Sequence, residues 1–196
     1  MISSALTQEP SDANLLIQAE KAISGLLPVL QSLAKRFNDE GHRLYLVGGS
    51  VRDALLGRLG HDIDCTTSAR PEAVTAVLDG WADVVWDTGI EYGTISAEKN
   101  SQQIEITTFR SDVYDGQSRN PEVKFGDTLE GDLIRRDFSV NAMAVEITGD
   151  GSMVFHDPMG GLTDLAAQRL DTPNTPELSF HDDPLRMLRA ARFVSQ

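Results

Sequence analysis

The sequence predicts an α+β protein, mixed α/β around one small sheet, and three observations carry that expectation. Short apolar runs bounded by glycine, asparagine and serine read as strands, and they interleave with segments whose apolar residues recur at helical spacing. The strands are short and mixed with helices, with no internal repeat and no low-complexity tract, which argues for one sheet. The chain has 196 residues, 40% hydrophobic and 24% charged, an ordinary composition for a globular domain. A chain of that length buries roughly 70% of its extended surface and needs no disulfide or metal staple.

Taken in order, residues 1–13 are polar and expected to fray. From Leu15 to Phe37, the residues Leu15, Leu16, Ala19, Ile23, Leu26, Leu27, Leu30, Leu33, Ala34 and Phe37 repeat at helical spacing. Gly25 and Pro28 interrupt them, which makes two short helices or one kinked helix, stopped by Gly41. Leu44–Val47 reads as a buried strand entering a tight Gly48-Gly49 turn, and Val51–Leu56 as a helix ended by Gly57. Asp62–Thr66 is a second strand. Pro71 opens a helix that runs through Leu78, with Ser68 near its cap. Ala82–Trp86, Gly93–Ala97 and Gln102–Phe109 are three more strands.

Residues 110–128 are polar, contain Gly116, Pro121 and Gly126, and read as a long mobile loop of the kind that usually serves function. A helical stretch is expected over Leu129–Ala144, then a hairpin-like pair, Ala144–Ile147 with Met153–Phe155, around Gly149-Asp150-Gly151. Gly160-Gly161 precedes a helix over Leu162–Gln168. Asp182–Phe193 is helical by spacing and ends without a stop signal, as if the chain were cut in or just after a helix.

Composition narrows the function. No stretch approaches the roughly 20 apolar residues of a membrane span. The N-terminal residues have neither a basic nor an apolar region of the secretory kind. Cys65 is the single cysteine, which rules out an internal disulfide and a thiolate metal cluster. Together these features lead us to expect a cytoplasmic protein. Thirty acidic against seventeen basic residues give a net charge of −13. That balance is wrong for a free-standing nucleic-acid binder, whose affinity comes largely from cations on phosphates. The arginines, however, cluster: Arg135 and Arg136 are adjacent, and Arg186, Arg189 and Arg192 repeat every third residue.

The chemistry centres on Asp62-Ile63-Asp64. In a strand, residues i and i+2 face one side, so two carboxylates project together while Ile63 points to the core. Like charges that close repel unless a cation lies between them, and a hard divalent ion such as Mg²⁺ is the usual solution. Alone, the pattern more often describes a solvated strand edge or a turn. Its context favours chemistry. Gly48-Gly49, with Ser50-Val51-Arg52 behind it, stands at a strand-to-helix junction, where backbone N–H groups and a helix N-terminus favour an anion. Arg52, one turn into that helix, can donate to a triphosphate. The segment is neither a dinucleotide fingerprint nor a P-loop. In Gln103-Ile104-Glu105-Ile106-Thr107, alternation puts Glu105 opposite two core isoleucines; it either faces water or, if its strand neighbours 62–64, completes a trio of carboxylates able to hold two Mg²⁺.

Six segments occur in order: LYLVGGSVRDALLG, HDIDCTTSA, GTISAEKNSQQIEITTFR, GDLIRRDFSVNAMAV, DPMGGLTDL and DDPLRMLRAARF. The set resembles the catalytic head of the class II tRNA nucleotidyltransferases, the CCA-adding enzymes, which share a scaffold with bacterial poly(A) polymerases. The resemblance covers roughly residues 43–195, and the wording of the loop and of the last segment looks most like actinobacterial versions. It implies a DNA polymerase β-like nucleotidyltransferase head over 43–170, after an N-terminal helical segment over 1–42 and before the start of a helical neck over 171–196.

By the same resemblance Asp62, Asp64 and Glu105 would be catalytic and ligate two Mg²⁺ ions, and Gly49, Arg52 and Arg136 would hold the nucleotide. Arg135 would serve phosphate or only a surface. Asp183 and Arg186 correspond to a base-reading pair. Three apart on a helix they would share a face, with a carboxylate accepting from an exocyclic amine and a guanidinium donating to a ring nitrogen. Cytosine and adenine present that pattern; guanine and uracil present its reverse. A surface ion pair is the plainer reading of such a spacing. Arg189 and Arg192 would line the nucleotide site, or form a solvated helix end. Asp182 stands where the family most often has Glu.

Asp157 and Asp164 read as structural, and Asp137 and Asn141 as supporting or capping residues. The four histidines show no metal-ligand spacing, His61 reads as a surface residue rather than one tuning the site, Cys65 as packed in its strand, and Trp81, Trp86 and the phenylalanines as core rather than a stacking platform for bases. The function implied is addition of CTP and then ATP to the 3′ end of tRNA, releasing pyrophosphate. The alternatives are a poly(A) polymerase, a partial CC- or A-adding enzyme, and a nucleotide- and Mg-binding module that lacks the segments gripping tRNA beyond residue 196.

Overall fold

The computed structural model describes residues 12–111 and 124–194. Two helices come first, α1 (Asp12–Ser24) and α2 (Leu27–Asp39), so the break near Gly25 separates two elements. Pro28 sits in the first turn of α2, where an absent N–H costs nothing. Helix α1 already begins at Asp12, inside the stretch expected to fray. Strand β1 (Leu44–Val47) leads through Gly48, at φ 64° and ψ −131°, into α3 (Gly49–Leu55). That backbone conformation suits a residue without Cβ. Then follow β2 (Asp62–Thr67) and α4 (Pro71–Leu78). The residue capping α4 is Arg70, without a side-chain bond, and the Ser68 hydroxyl instead meets His42 Nδ1 at 3.2 Å.

Strands β3 (Val84–Trp86), β4 (Thr94–Lys99) and β5 (Gln102–Thr108) come next. Asn100 and Ser101, at φ 53° and 62°, make the two-residue turn between β4 and β5. Positive φ at both central positions matches the twist of a tight hairpin. The ends of the long loop are pinned together: Ser111 N–H donates to the Lys124 carbonyl at 2.8 Å and Gly126 N–H to the Phe109 carbonyl at 2.7 Å. The rest of that loop, residues 112–123, lies outside the described residues, and with it the expectation of mobility.

Two expected helices are broken. Leu129–Ala144 is not one helix: α5 spans Leu129–Ile134, Phe138 is extended, and Ser139–Asn141 form a 3₁₀ turn. The cause is local. Asp137 Oδ1 accepts from Phe138 N–H at 2.9 Å and from Asn141 Nδ2 at 3.0 Å, so a side chain replaces the helical acceptor. Strands β6 (Ala144–Ile147) and β7 (Met153–His156) and helix α6 (Gly161–Ala166) follow. A Cβ at Gly161 would overlap the Ser139 carbonyl, so only glycine lets α6 pack on that turn. Asp182–Phe193 is likewise interrupted: α7 (Pro176–Asp182) ends at extended Asp183, and α8 (Leu185–Val194) begins after Pro184. A residue preceding proline is driven out of the helical region by the ring.

The sheet order is β3-β4-β5-β2-β1-β6-β7, with β2 and β5 parallel and the other neighbours antiparallel. One face carries Leu46, Ile63, Cys65, Ile95, Ile104, Ile106 and Val145 against the apolar stripes of α1 to α4. The opposite face is divided. Over β1 and β6, Tyr45, Val47 and Ala144 pack with Leu129 and Leu133 of α5. Over β2 and β5 that face is polar, and Asp62 and Glu105 are exposed on it.

Candidate active site

Strand alternation puts Asp62 and Asp64 on one side of β2 while Ile63 and Cys65 enter the core. The parallel register sets Asp64 directly beside Glu105, and Asp62 beside Gln103. The three acidic positions therefore share a face on adjacent strands, which the residue pattern left conditional on the two strands being neighbours. As the side chains stand, no three His, Cys, Asp or Glu among the described residues form a closed ligand set; what gathers them is backbone register.

The glycine turn adjoins this face. A Cβ at Gly49 would lie 3.7 Å from Asp64 Oδ2 and 3.6 Å from Arg52 Nη2, and one at Gly48 would lie 2.8 Å from Arg136 Nη1. Gly48, Gly49, Arg52, Arg136 and Asp64 thus line one locus. A cleft of about 290 Å³ runs beside it, lined by Gly49, Ser50, Asp53, Arg58, His61, Asp62 and Asp64 among others. Burial pushes the Asp64 carboxyl above its ordinary value, and the Glu105 and Asp62 carboxylates push the same way, while Arg136 and Arg52 pull against them. A cluster of hard oxygen donors that raises a member's proton affinity is one that a divalent cation would relieve.

Ser50 was missed by the sequence reading. Its buried hydroxyl accepts from the Asp64 N–H at 2.9 Å and donates to the Asp62 carbonyl at 3.4 Å, tying the N-terminal turn of α3 to the acidic strand. Asp132 was missed as well. Fully buried, it pairs with Arg135 at 2.8 Å and Arg136 at 2.9 Å and accepts from Arg110 N–H at 3.2 Å. Burial alone would raise its carboxyl, but the two guanidiniums outweigh that and hold it below the ordinary range. Its i,i+3 and i,i+4 spacing to the two arginines was a readable signal. Arg135 therefore serves an internal ion pair, and the Arg136 guanidinium is aimed at Gly48.

Arg52 is also internally held. It donates to Asp53 and to Asn141 Oδ1, and its guanidinium stands 5.0 Å from the Phe193 ring centre. Asn141 in turn donates to Asp137, and Arg189 lies 2.7 Å from Asp137 Oδ2. This chain of contacts docks α8 against the 3₁₀ turn and α3. Arg192 lies exposed in the last turn of α8.

The Asp183–Arg186 geometry differs from the expectation. The two residues are not on one helix. Asp183 accepts from the Leu185 N–H at 3.0 Å, as a cap for α8. Arg186 is buried and donates to Ser179 Oγ at 2.5 Å and to the Arg135 carbonyl at 2.8 Å. Pro184 is the reason, since it breaks the helix between them. Arg186 thus neutralises the C-terminal end of α5, where a cation is favoured.

Other expectations sort cleanly. Asp157 accepts from the Gly161 and Leu162 N–H groups, and Asp164 binds Ser139 and Arg169, so both hold α6. Cys65 is buried, and burial pushes its thiol up. His61 is exposed near Gln102. Trp81 is in the core at 7% exposure, but Trp86 is 38% exposed, which corrects the expectation that it is buried. It lies in β3, the edge strand of the sheet among the described residues.

Carboxylates thus lie in register on the open face of a mixed sheet, at the foot of a glycine turn flanked by arginines. Residues 44–171 match the family described as the Poly A polymerase head domain, and the chain belongs to that family. Its relatives include the CCA-adding enzyme of Enterococcus faecalis, 42% identical over 163 residues, which are 83% of this chain and 38% of that protein. The CCA-adding enzyme of Listeria innocua is 42% identical over 171 residues, 87% of this chain and 40% of that one.

Among solved structures, the Bacillus stearothermophilus CCA-adding enzyme in complex with CTP superposes with a TM-score of 0.71 at 35% identity, covering 89% of this chain and 39% of that one. The Thermotoga maritima CCA-adding enzyme complexed with tRNA gives 0.70 at 30% identity, covering 90% and 40%. The chain thus resembles the head of class II CCA-adding enzymes and spans about two fifths of the length of these relatives. Among the described residues no helix is long and apolar enough to cross a membrane.

Proposed function

We propose that this head transfers nucleotides from CTP and then ATP to the 3′ end of tRNA, with release of pyrophosphate. The observation that carries the reading is the register of Asp64 beside Glu105, with Asp62 on the same face and the Gly48-Gly49 turn against Asp64. Asp62, Asp64 and Glu105 would hold divalent metal, with two Mg²⁺ ions as the expected complement. When bound, such ions lower the pKa of an attacking hydroxyl and neutralise a leaving pyrophosphate. The carboxylate oxygens suit them, and Asp64, crowded by two like charges, gains from a cation.

The chain's own groups do the positioning. The backbone at Gly49, where no Cβ intervenes, leaves room for phosphate to approach the strand, and Arg52 and Arg136 stand where they neutralise it. Ser50 keeps the Asp62–Asp64 backbone against that turn. Arg189 and Arg192 on α8 are assigned to the nucleotide site. Asp183 and Arg186 are assigned to reading the base, a role that requires Arg186 to leave Ser179 and the Arg135 carbonyl when nucleotide enters. The tRNA body is assigned to segments beyond residue 196, in keeping with the net charge of −13. The boundaries 1–42, 43–170 and 171–196 and a cytoplasmic location complete the reading.

The test is incorporation of labelled CTP and ATP into tRNA lacking its 3′ CCA, with Mg²⁺ and with EDTA, alongside CTP binding by the 196-residue chain. CTP followed by one ATP supports the reading, and repeated ATP use without CTP replaces it with poly(A) synthesis. CTP binding without any extension, even in a longer chain carrying intact Asp62 and Asp64, leaves a binding module.

A further inference from the structure

Trp86 sits in one lateral row with the acidic site. The registers run Trp86 to Ser96, Ser96 to Glu105, and Glu105 to Asp64, across β3, β4, β5 and β2. Paired residues share a face, so all four side chains project to the same side of the sheet. At the usual strand spacing, Trp86 stands about 10 Å from the Glu105 position and about 14 Å from that of Asp64. Between Trp86 and Glu105 lies a cavity of about 220 Å³, with Thr88, Ser96 and Gln103 offering hydroxyl and amide groups. In the exposed edge strand β3, the Trp86 ring is left 38% exposed beside this cavity, where a flat ligand can meet it.

The sheet order supplies a direction. The Gly48-Gly49 turn, with Arg52 and Arg136, lies on the β1 side of Asp64, whereas Glu105 and Trp86 lie on the β5 side. The triphosphate would occupy the cationic side. An attacking hydroxyl must approach phosphorus from the side opposite the leaving pyrophosphate, which is the side of Glu105 and Trp86. We propose that Trp86 is a stacking platform for a base at the 3′ end of the acceptor RNA strand, placing its terminal hydroxyl toward Asp64. This rests on the transfer reading above. Stacking suits a chain with this charge, because a base's π face is recognised without a cation and regardless of sequence. Trp86 is in these terms a positioning residue.

The experiment uses the 196-residue chain carrying Trp81→Phe, so that emission reports Trp86 alone. It is titrated separately with tRNA lacking its 3′ CCA and with CTP. RNA is expected to quench emission saturably and CTP to leave it unchanged. Trp86→Ala is expected to weaken RNA binding about tenfold or more, while CTP affinity and the thermal midpoint hold; Trp86→Phe, which keeps a stacking face, retains most of the RNA affinity. Unchanged RNA affinity in Trp86→Ala overturns the platform, as does quenching by CTP alone, which would assign Trp86 to the incoming base. A fall in thermal midpoint with equal loss of both affinities overturns it in favour of a packing role. RNA affinity that depends on Trp86 in an enzyme that incorporates no CTP supports the platform and sinks the transfer reading.

Discussion

Asp64→Asn should make this protein more stable in the absence of metal while removing its chemistry. Asp64 is part-buried beside Glu105, with Asp62 two residues away on the same face. Carboxylates on neighbouring strands about 5 Å apart, in an effective dielectric of about 40, repel by about 1.7 kcal/mol. Arg136 and Arg52 offset part of this, leaving about 1 kcal/mol, or about 2–4 °C in the melting midpoint of a chain this size.

The pH dependence has a definite sign. The folded-state pKa of Asp64 is raised, so the folded chain holds this proton more tightly than the unfolded one. That contribution to stability is fully present below the ordinary carboxylate value and lost as pH rises through the elevated one. The gap between variant and wild type should therefore be small in acid and open toward neutral pH. Added Mg²⁺ should reverse the order. An ion at tenfold its dissociation constant stabilises the wild type by about 1.4 kcal/mol and Asp64→Asn by much less. Differential scanning fluorimetry in EDTA and in Mg²⁺, across pH, reads all three effects. A variant that melts below the wild type in EDTA, or equal Mg²⁺ shifts in both proteins, would refute the carboxylate cluster as a cation site.

Two other perturbations probe the scaffold. Ser50→Ala strands the part-buried Asp64 N–H and should cost about 1 kcal/mol in urea unfolding, with a weaker Mg²⁺-induced shift; a full-sized shift would show that Ser50 does not position the acidic strand. Asp132→Asn leaves Arg135 and Arg136 without their buried partner and should cost about 3 kcal/mol at neutral pH. Because the Asp132 carboxyl is held below its ordinary range, its stabilisation is present above that range and lost as pH falls through the depressed value. The variant's deficit should accordingly shrink in acid, and a deficit independent of pH would contradict the ion-pair account.

Much of the site was legible because strand alternation and short spacing are local rules. Asp62 and Asp64 had to share a face once 62–66 was a strand, and Glu105 had to oppose Ile104 and Ile106. The Gly48-Gly49 junction was equally readable, since few other sequences turn so sharply between a strand and a helix. The errors arose where one residue's local chemistry overrode a periodic pattern. Pro184 split the last helix and moved Asp183 and Arg186 apart, although its effect on the preceding residue was open to inspection. Asp137 broke the stretch after α5 by taking two donors onto one carboxylate oxygen. Trp86 was misassigned because burial of an aromatic depends on what lies beyond its strand.

Periodicity and residue chemistry alone therefore determined most element types, the shared face of Asp62 and Asp64, and the glycine turn between β1 and α3. Only the folded chain decided that β5 runs parallel beside β2 with Glu105 level with Asp64, that β3 is an edge, and that Arg186 is tucked behind α5. Alternation is written into every few residues, but which strands become neighbours follows from how four helices and a sheet bury their apolar faces together, and no short window of sequence contains that balance.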